Sequence, residues 1–467
     1  MERDTMYALS PLDGRYNQIG EELAPYFSEY ALVEKRVKVE VLWLKFLLEK
    51  IEGAQVLEDF KHYEAEKKAV LDAIESIYTS FDEDSYVQVK EIEKVTNHDV
   101  KAVELFIGEK LADFGKLVSF IHIGCTSEDI NNTAYAMMMQ EGLKQVWIPA
   151  AQELICHIRD MALMYAKTPM LAHTHGQPAT PTTVGKEMAV FVYRLQKSLD
   201  SIQELESNIC AKFNGATGNY AAISAAFPEE NWPELAKEFV QDYLKLKFNP
   251  VTTQIENHDY MCHIFDGIRH FNNVLLDFDR DMWLYISMEY FKQIAVKTEV
   301  GSSTMPHKVN PIRFENSEAN IDMSNAICMA LSNKLPISRM QRDLSDSSSQ
   351  RNIGLAFGYS LQAIKQTIGG LKKVAVNEAK LASDLNSKWE VLAEPIQTIL
   401  RKYGIPDAYD QLKALTRGKG ISKEAIQKFI KSLDILSEKD KVRLLKMTPS
   451  DYIGLAEQIT EEELKNI

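Results

Sequence analysis

The residues from Gly301 to Ile312 form the segment with the densest set of chemically useful groups in the chain. They read Gly-Ser-Ser-Thr-Met-Pro-His-Lys-Val-Asn-Pro-Ile and follow a long helical pattern. A glycine, three hydroxyls, a histidine, a lysine and an asparagine can present donors and backbone N–H groups to an anion. A solvated, hydroxyl-rich loop is the alternative interpretation of the same residue types.

Two neighbouring histidines, His173 and His175, are the next candidates. Histidine titrates close to neutral pH and therefore suits proton transfer. A His-x-His pair could instead hold a metal, but no cluster of Asp, Cys or further His follows nearby in the sequence, which disfavours a metal site. A histidine that is hydrogen-bonded in a buried loop is the third interpretation, and we keep it for His173.

Two polar segments have the pattern of helix starts. Thr126-Ser-Glu-Asp129 predicts a capping box that begins a helix containing Ala134 to Met139. The N-terminus of a helix also favours an anion, because its first N–H groups are unpaired and its dipole is positive there. Asn97-His98-Asp99 is compatible with a solvated helix start as well as with a site. The Thr126 segment can therefore combine a structural and a chemical role, whereas the two interpretations of Asn97–Asp99 stay alternatives.

Long helices must position these residues, because apolar side chains recur at helical spacing over several long stretches without proline. Three such seams predict a helix bundle, and apolar residues outside the seams predict bundling between subunits. The first seam contains Met261, Ile264, Ile268, Phe271, Leu275, Phe278, Met282 and Tyr285. The second contains Val184, Met188, Phe191, Leu195, Ile202, Leu205 and Ile209, and the third Trp147, Ala151, Leu154, Ile158, Met161 and Tyr165.

Signals for strands are few. Residues 213–226 contain Asn214-Gly215 and Gly218, which predict turns beside short hairpin pieces at most. Near the C-terminus, Arg417–Gly420 predicts a loop that leads into a helix capped at Ser422. We place domain boundaries so that residues 1–110, 111–360 and 361–467 form three domains.

The composition narrows the class of protein. The chain has 467 residues and a formal net charge of −14. Because nucleic acid is also negatively charged, we do not expect the protein to bind it. Hydrophobic residues make up 45% and charged residues 26%, as in globular proteins with a large core. No apolar run is long enough to span a membrane and no signal peptide is evident, so we expect a cytoplasmic protein. Five scattered cysteines without a C-x-x-C pair predict reduced thiols.

The string from Gly301 to Pro311 resembles the signature of the fumarase/aspartase superfamily, whose members eliminate fumarate or a related acid from a substituted succinate. Further segments resemble adenylosuccinate lyases of the bacterial type, and together the matches run from residue 10 to about residue 352. These segments are Ser10–Tyr16 (SPLDGRY), Thr126–Asp129 (TSED), Thr174–Ala179 (THGQPA), Thr252–Glu256 (TTQIE) and Arg342–Asp346 (RDLSD).

The resemblance implies an all-α, three-domain protein with a central long-helix bundle. It implies a homotetramer whose sites are assembled from three subunits, and it implies neither a cofactor nor a metal. The expected substrates are adenylosuccinate, which yields AMP and fumarate, and the succinylated aminoimidazole carboxamide ribotide SAICAR, which yields AICAR. Nucleic acid and membranes are not expected partners.

Breaking the C–N bond of a succinyl-amine needs a base, a clamp for the dianionic carboxylate, and an acid for the departing nitrogen. By resemblance, Ser302 is the base and His175 the general acid. Serine must then react as an alkoxide, and Lys308, backbone dipoles or the substrate carboxylate are alternative means of making that form accessible.

The same resemblance implies a substrate-binding set. Thr126, Ser127, Lys308 and Asn310 are expected at the carboxylates, and arginines at the nucleotide phosphate. Ser347–Arg351 is more polar than the superfamily's usual version, so its individual contacts are less defined. The full set is Arg15, Tyr16, Asn97, His98, Asp99, Thr126, Ser127, Gln254, Ser303, Lys308, Val309, Asn310, Asn316, Arg342, Ser347 and Arg351.

Two other functions compete with this one. The first is a different superfamily reaction, such as that of argininosuccinate lyase, aspartase, fumarase or a carboxymuconate cycloisomerase; His307-Lys308-Val309 and Arg15-Tyr16 favour the purine substrate. The second is a non-catalytic scaffold with the same fold, as in some lens proteins. The joint presence of Ser302, His175 and Lys308 disfavours a scaffold.

Overall fold

A computed structural model describes residues 7–51, 64–294, 305, 308–408, 410, 412, 421–465 and 467. Most of these residues lie in α-helices, and the strands among them are short and occur in pairs. The predicted all-α class is confirmed. The predicted residues Ser302 and Ser303, and the loop Arg417–Gly420, lie outside the described residues.

The chain divides into two compact units. The first unit comprises Met1–Ala151, Leu199–Asn272 and Asn320–Ala363, and the second comprises Gln152–Ser198, Asn273–Ala319 and Ile364–Ile467. The domain boundaries expected near residues 110 and 360 stay a prediction.

The helices are numbered here in chain order. They are α1 (Asn17–Phe27), α2 (Glu29–Lys50), α3 (Glu64–Thr79), α4 (Glu83–Thr96), α5 (Asp99–Lys110), α6 (Ser127–Gly142), α7 (Ile148–Met164), α8 (Val184–Glu206), α9 (Ala221–Ala226), α10 (Trp232–Glu238), α11 (Asp259–Ser287), α12 (Ile312–Lys334), α13 (Ser345–Gln350), α14 (Ile353–Leu371), α15 (Glu378–Asn386), α16 (Ala393–Lys402), α17 (Lys423–Lys431), α18 (Glu438–Lys446) and α19 (Ala456–Glu463). The strands are β1 (Pro169–Thr174), β2 (Gln177–Thr183), β3 (Cys210–Ala211), β4 (Lys247–Phe248), β5 (Phe291–Gln293) and β6 (Val374–Val376).

Shorter helical turns complete the elements of the described residues. Ala112–Phe120, Trp389–Leu392 and Pro449–Asp451 are 3₁₀ turns, and Leu143–Trp147 and Phe239–Tyr243 are π turns. The π turn at Leu143–Trp147 precedes Pro149, which has no N–H to continue the α-helical ladder.

The predicted seams are confirmed as buried helix faces. On α11, every predicted seam residue from Met261 to Met282 is buried. On α8, the seam residues from Val184 to Ile202 are buried, whereas Ile209 lies beyond the end of the helix and is buried there. The long helices therefore form where the 3.6-residue apolar period indicated.

The largest departure from the sequence prediction is a β-hairpin around His175. Strands β1 and β2 are antiparallel, with Thr174 opposite Gln177. His175 and Gly176 both have positive φ, 52° and 70°, so they form the two-residue turn of type I′. The hairpin was missed because its second strand contains two prolines, which normally argue against a strand.

The region 213–226 does not form hairpin pieces. Gly215 has a φ of 83°, but Asn214 does not have a positive φ, whereas a type I′ turn needs both. The backbone N–H groups of Asn214 and Gly215 instead donate to the carboxylate of Asp129, and helix α9 follows.

In the second unit, a C-terminal hydrophobic core supports the hairpin. Leu171 of β1 packs in one cluster with residues of α15 to α18, including Ile396, Leu400, Ile426 and Leu444. Ser422 caps α17, with its Oγ accepting from Ala425 N at 3.3 Å, so the predicted cap is confirmed. Leu171 therefore anchors the strand that carries His173 into a packed core.

Candidate active site

In the first unit, the site is built around the N-terminus of α6. Thr126 is the N-cap residue, and its backbone N donates to Asp129 Oδ2 at 2.9 Å as part of a capping box. The predicted capping box is therefore confirmed. Thr126 and Ser127 are half-buried, so the free N–H end of α6 remains accessible beside them.

Asp129 connects the N-terminus of α6 to the neighbouring Asn214–Gly215 turn. Its side chain is fully buried and lies 2.9 Å from Lys212 Nζ, which is equally buried. The backbone N–H groups of Asn214 and Gly215 donate to it at 3.0 and 3.1 Å. A buried carboxylate with a cationic partner and several N–H donors is satisfied, so Asp129 fixes the Asn214–Gly215 turn against α6.

Three predicted substrate-binding residues from distant segments meet beside this helix start. Gln254 Nε2 donates to Thr126 Oγ1 at 3.4 Å, and Arg342 Nη1 donates to Gln254 Oε1 at 3.4 Å. Arg342 Nη2 also donates to Glu128 Oε1 at 2.9 Å. Since Glu128 is almost completely buried, it holds the guanidinium group in one orientation.

The Asn97–Asp99 segment forms the turn between α4 and α5. Asn97 ends α4 in the left-handed region, with a φ of 51°, and His98 Nδ1 caps α5 by accepting from Lys101 N at 3.2 Å. Asp99 accepts from Arg36 Nη2 at 2.7 Å and from Arg351 Nη2 at 3.4 Å. Burial alone would raise the pKa of Asp99, but the charges of Arg36 and Arg351 and the N–H of Val100 hold that pKa below its usual value.

Ser347 lies on α13, and Arg351 directly follows that helix. Arg351 pairs with Glu29 as well as with Asp99. The backbone of Ser347 is held by the buried Asp346, since Ser347 N donates to Asp346 Oδ1 at 2.7 Å. Asp346 Oδ2 in turn lies 3.3 Å from His258 Nε2. Burial alone would raise the pKa of Asp346, but the hydrogen bonds with His258 and with the N–H of Ser347 hold that pKa below its usual value.

The remaining predicted residues of the first unit lie at its N-terminal segment. Arg15 is exposed, and Tyr16 is half-buried and precedes α1. Tyr16 N donates to Pro11 O at 2.8 Å, which closes a turn in the SPLDGRY segment. This turn presents Arg15 to solvent just before the start of α1.

In the second unit, His175 is exposed at the tip of the β1–β2 hairpin. His173 does not lie in a buried loop, as was expected, but is exposed on β1, with its ring 6.2 Å from that of the buried Tyr290. Lys308 and Val309 are exposed, and Val309 O accepts from Gln293 Nε2 at 2.8 Å. Asn310 and Asn316 are half-buried, with Asn316 in the first turns of α12.

Several buried polar residues of the first unit were assigned no role from the sequence, among them Arg36, Glu128, Asn131 and Lys212. A signal for Arg36 was available, since Arg36 and Glu40 stand four residues apart on α2 and are flanked by Val37, Val39 and Val41. Charges inside such a helix need partners, which here are Asp99 for Arg36 and His122 for Glu40. Glu128 lies within the predicted TSED motif but was assigned no role.

No group of three or more His, Cys, Asp or Glu side chains in the described part of the chain is arranged to hold a metal ion. All five cysteines fall within the described ranges and all are free. Among the helices that the structure describes, none is long and apolar enough to cross a bilayer.

Sequence comparisons match nearly the whole chain. Residues 14–325 match the family described as Lyase, and residues 338–453 match the family described as Adenylosuccinate lyase C-terminal. The adenylosuccinate lyase of Escherichia coli K12 is 47% identical over 465 residues, covering 99% of this chain and 100% of that protein. The adenylosuccinate lyase of Haemophilus influenzae is 48% identical with the same coverage.

Solved structures share the fold at low sequence identity. The 3-carboxy-cis,cis-muconate lactonizing enzyme of Pseudomonas putida superposes with a TM-score of 0.72 at 19% identity, covering 95% of this chain and 96% of that one. A fumarate lyase of Mesorhizobium sp. BNC1 superposes with a TM-score of 0.74 at 16% identity, covering 97% of this chain and 98% of that one. With its full-length sequence relatives, the chain belongs to the adenylosuccinate lyase family of the fumarase/aspartase superfamily and is an enzyme of the lyase class.

Proposed function

We propose that this chain eliminates fumarate from adenylosuccinate to give AMP, and from SAICAR to give AICAR, in purine nucleotide biosynthesis. The observation that carries this proposal is the contact of Arg342 with Gln254 and of Gln254 with Thr126. These residues come from three separate motifs, and a substrate clamp needs them at one place. Family membership supplies the reaction class, and this cluster supplies the binding chemistry.

The clamp suits an anionic substrate. The N-terminus of α6 is partly positive, and Thr126 and Ser127 offer hydroxyls beside it. Arg342 uses Nη1 and Nη2 for Gln254 and Glu128, and its buried Nε has no hydrogen-bond partner within the described residues. We assign this N–H to an oxygen of the substrate.

The proton steps use His175 and Ser302 in this proposal. Ser302 takes the proton from the carbon β to nitrogen, and the C–H electron pair becomes the C=C bond of fumarate. The C–N electron pair leaves with the nitrogen, which receives a proton from His175. The exposed turn position of His175 supports this assignment, because the imidazole is open to a ligand. The role of Ser302 stays a prediction.

We further propose a cytoplasmic homotetramer whose sites combine residues of neighbouring subunits. The elimination needs a base, an acid and an anion clamp, all of which the proposed residues provide, so neither a cofactor nor a metal is included. Exposed apolar side chains on long helices, such as Val190, Tyr193, Trp283 and Leu284, support self-association.

An ultraviolet assay with four separate substrates tests the reaction. Adenylosuccinate should be cleaved, whereas argininosuccinate, aspartate and malate should not. Activity confined to one of the other three would replace the substrate assignment, and a folded protein silent with all four would favour a scaffold. In the active protein, His175→Asn should keep the turn, because Asn tolerates positive φ, and should lower kcat by about 10²-fold to 10⁴-fold.

His173→Asn is the matched control for His175→Asn, because it alters a histidine two residues away on the same hairpin. We expect its kcat within about threefold of wild type, since β-strand residue His173 has no assigned step. Equal losses in both variants would show that the hairpin, and not the His175 imidazole, is needed.

Shared sites predict complementation between two inactive variants. His175→Asn and Arg342→Met place their lesions in the second and the first unit, respectively. When the two proteins are mixed under conditions that exchange subunits, some sites receive both intact residues and activity should return. Separate refolding of each variant is the control, and a mixture that stays inactive despite proven exchange would refute sites shared in this way.

A further inference from the structure

A continuous chain of hydrogen bonds joins the Asn97–Asp99 segment to the Thr126 cluster through the interior of the first unit. Arg36 Nη2 donates to Asp99 Oδ2 at 2.7 Å, and Arg36 Nε donates to Asn131 Oδ1 at 2.8 Å. Asn131 Nδ2 donates to Glu128 Oε1 at 2.9 Å. The same Glu128 oxygen accepts from Arg342 Nη2, so the chain passes on to the substrate clamp.

Asn131 is the residue type that this connection requires. Arginine offers only donors and a carboxylate offers only acceptors, so the group between Arg36 and Glu128 must accept on one side and donate on the other. Asn131 does both through one amide group, and it lies three residues after Glu128 on the same face of α6. An aspartate at this position would repel Glu128, and a leucine would bind neither neighbour.

Burial makes each link strong and makes its loss costly. Arg36 is 1% exposed, Glu128 2% and Asn131 6%. Buried charged groups without their partners carry a large desolvation cost, so these side chains are held in fixed positions. Asp99 and Arg342 are therefore connected through side chains that are buried and held by hydrogen bonds.

The hydrogen-bond chain also contains buried polar atoms that have no partner in the described structure. Within the described residues, Arg36 Nη1, Glu128 Oε2 and Arg342 Nε are buried and have no hydrogen-bond partner. Most buried polar groups in proteins are paired, and the exceptions often mark functional sites. All three atoms belong to charged residues of this hydrogen-bond chain.

We propose that Arg36 and Asn131 are positioning residues that hold the Asn97–Asp99 segment and Arg342 in a fixed relation for substrate binding. This inference rests on the proposed function, because it concerns the binding of adenylosuccinate by that site. Neither residue contacts the substrate; both act through Asp99, Glu128 and Arg342.

The primary test is Asn131→Leu, which keeps the side-chain volume but removes both hydrogen bonds. Steady-state kinetics with adenylosuccinate should show KM raised by about tenfold or more, with a smaller change in kcat, because a misplaced Arg342 weakens substrate binding. Arg36→Met should have the same signature. Wild-type turnover is measured first, so an inactive wild type would refute the proposed function and not this inference.

Asn272→Leu is the matched control. Asn272 is fully buried in the same unit and is hydrogen-bonded in a separate network, donating to Ser324 and accepting from Ser360. Both variants should lower the thermal unfolding midpoint, but only Asn131→Leu should raise KM. If the two variants lose similar stability and Asn131→Leu keeps KM within twofold of wild type, the positioning role is overturned. Should Asn131→Leu fail to fold, Asn131→Ser replaces it with the same expectation.

A double-mutant cycle tests transmission along the chain directly. Asp99→Asn and Gln254→Ala alter its two ends, and no hydrogen bond joins these two residues in the described structure. If the chain couples them, their combined effect on kcat/KM should depart from the product of the single effects by about fivefold. In the Asn131→Leu background this departure should disappear. Multiplicative effects in the wild-type background would contradict the inference.

Discussion

Lys212 Nζ lies 2.9 Å from Asp129 Oδ1, and both side chains are fully buried. The ammonium group also donates to Gly215 O at 3.0 Å, so it bridges the helix start and the Asn214–Gly215 turn. An ion pair that no solvent screens therefore supports the proposed substrate clamp of Thr126, Gln254 and Arg342. A pair of this kind is costly to break on one side only.

Replacing Lys212 by Met should destabilise the protein strongly. The change removes the only side-chain cation within contact of Asp129 in the described structure and leaves a buried carboxylate with backbone donors alone. We expect the free energy of unfolding to fall by about 3–5 kcal/mol. Urea unfolding followed by circular dichroism measures this change.

Lys94→Met is the control for that measurement. Lys94 pairs with Glu91 on α4, and both side chains are more than half exposed. Solvent screens this pair, so the loss should be about 1 kcal/mol or less. Equal losses in the two variants would show that burial does not strengthen the Lys212 pair.

The sequence predicts the helices well because their signal is local. The α11 seam and the Thr126 and Ser422 caps each depend on residues within a few turns of one another, and each was confirmed. The His175 hairpin was missed because tertiary contacts stabilise it. Its strand β1 is buried at Leu171 against the C-terminal core, which overrides the unfavourable prolines of β2.

The candidate site was only partly predictable for the same reason. The motifs identified Thr126, Gln254 and Arg342, but their meeting depends on contacts 88 and 128 residues apart in sequence. Arg36 and Asn131 belong to no motif, and their partners become evident only when α2 and α6 are packed together. The partners of such supporting side chains therefore need a structure to identify them.

His122 gives a pH dependence to stability. Its Nδ1 lies 2.5 Å from Oε1 of the buried Glu40. Burial lowers the pKa of His122, but the hydrogen bond and charge of Glu40 outweigh burial and raise it above the ordinary 6.5. The protonated form therefore favours the folded state, and its contribution is complete below about pH 6 and is lost as the pH rises through the folded pKa.

His122→Asn removes this titration while tolerating the local φ of 59°. The stability difference between wild type and variant should be largest near about pH 5.5 and should shrink toward about pH 9. Urea unfolding across that range measures the difference. His157→Asn is the control, because His157 lies 3.5 Å from the exposed Glu153, and its difference should stay small at every pH. A gap for His122→Asn that grows with pH would contradict the expected sign.

Asp279 is a buried acid in the second unit. Its burial disfavours the ionised form of its carboxyl group. Burial raises the pKa of Asp279 well above its usual value, despite the hydrogen bonds from Ser317 and Thr367. Because the folded pKa is raised, the contribution of Asp279 to wild-type stability should fall as the pH rises above about 4. Asp279→Asn keeps an acceptor for Thr367 Oγ1, now 2.8 Å from Asp279 Oδ1, and avoids the ionisation.

We therefore expect Asp279→Asn to be more stable than wild type at neutral pH, with the gap closing toward about pH 4. Thermal unfolding at several pH values measures this gap. Asp277→Asn is the control, because Asp277 is exposed and paired with Arg194, and it should bring no gain. A variant less stable than wild type at neutral pH would show that the protein holds Asp279 ionised.

Gly176 determines the geometry at His175. Its φ is 70°, and a Cβ added there would meet no atom within 4 Å, so a side chain would meet backbone strain alone. Gly176→Ala should therefore cost about 1–2 kcal/mol locally, and the type I′ turn should distort. Because His175 is the neighbouring turn residue, we expect kcat to fall more than KM rises.

Gly176→Asn separates strain from the loss of glycine itself. Asn adopts positive φ far more readily than Ala, so this variant should keep a thermal midpoint and a kcat close to wild type. Steady-state kinetics and thermal unfolding of the two variants side by side provide the measurement. If Ala and Asn reduce kcat equally, the turn conformation does not position His175, and its assignment as the general acid would lose the support that the hairpin provides.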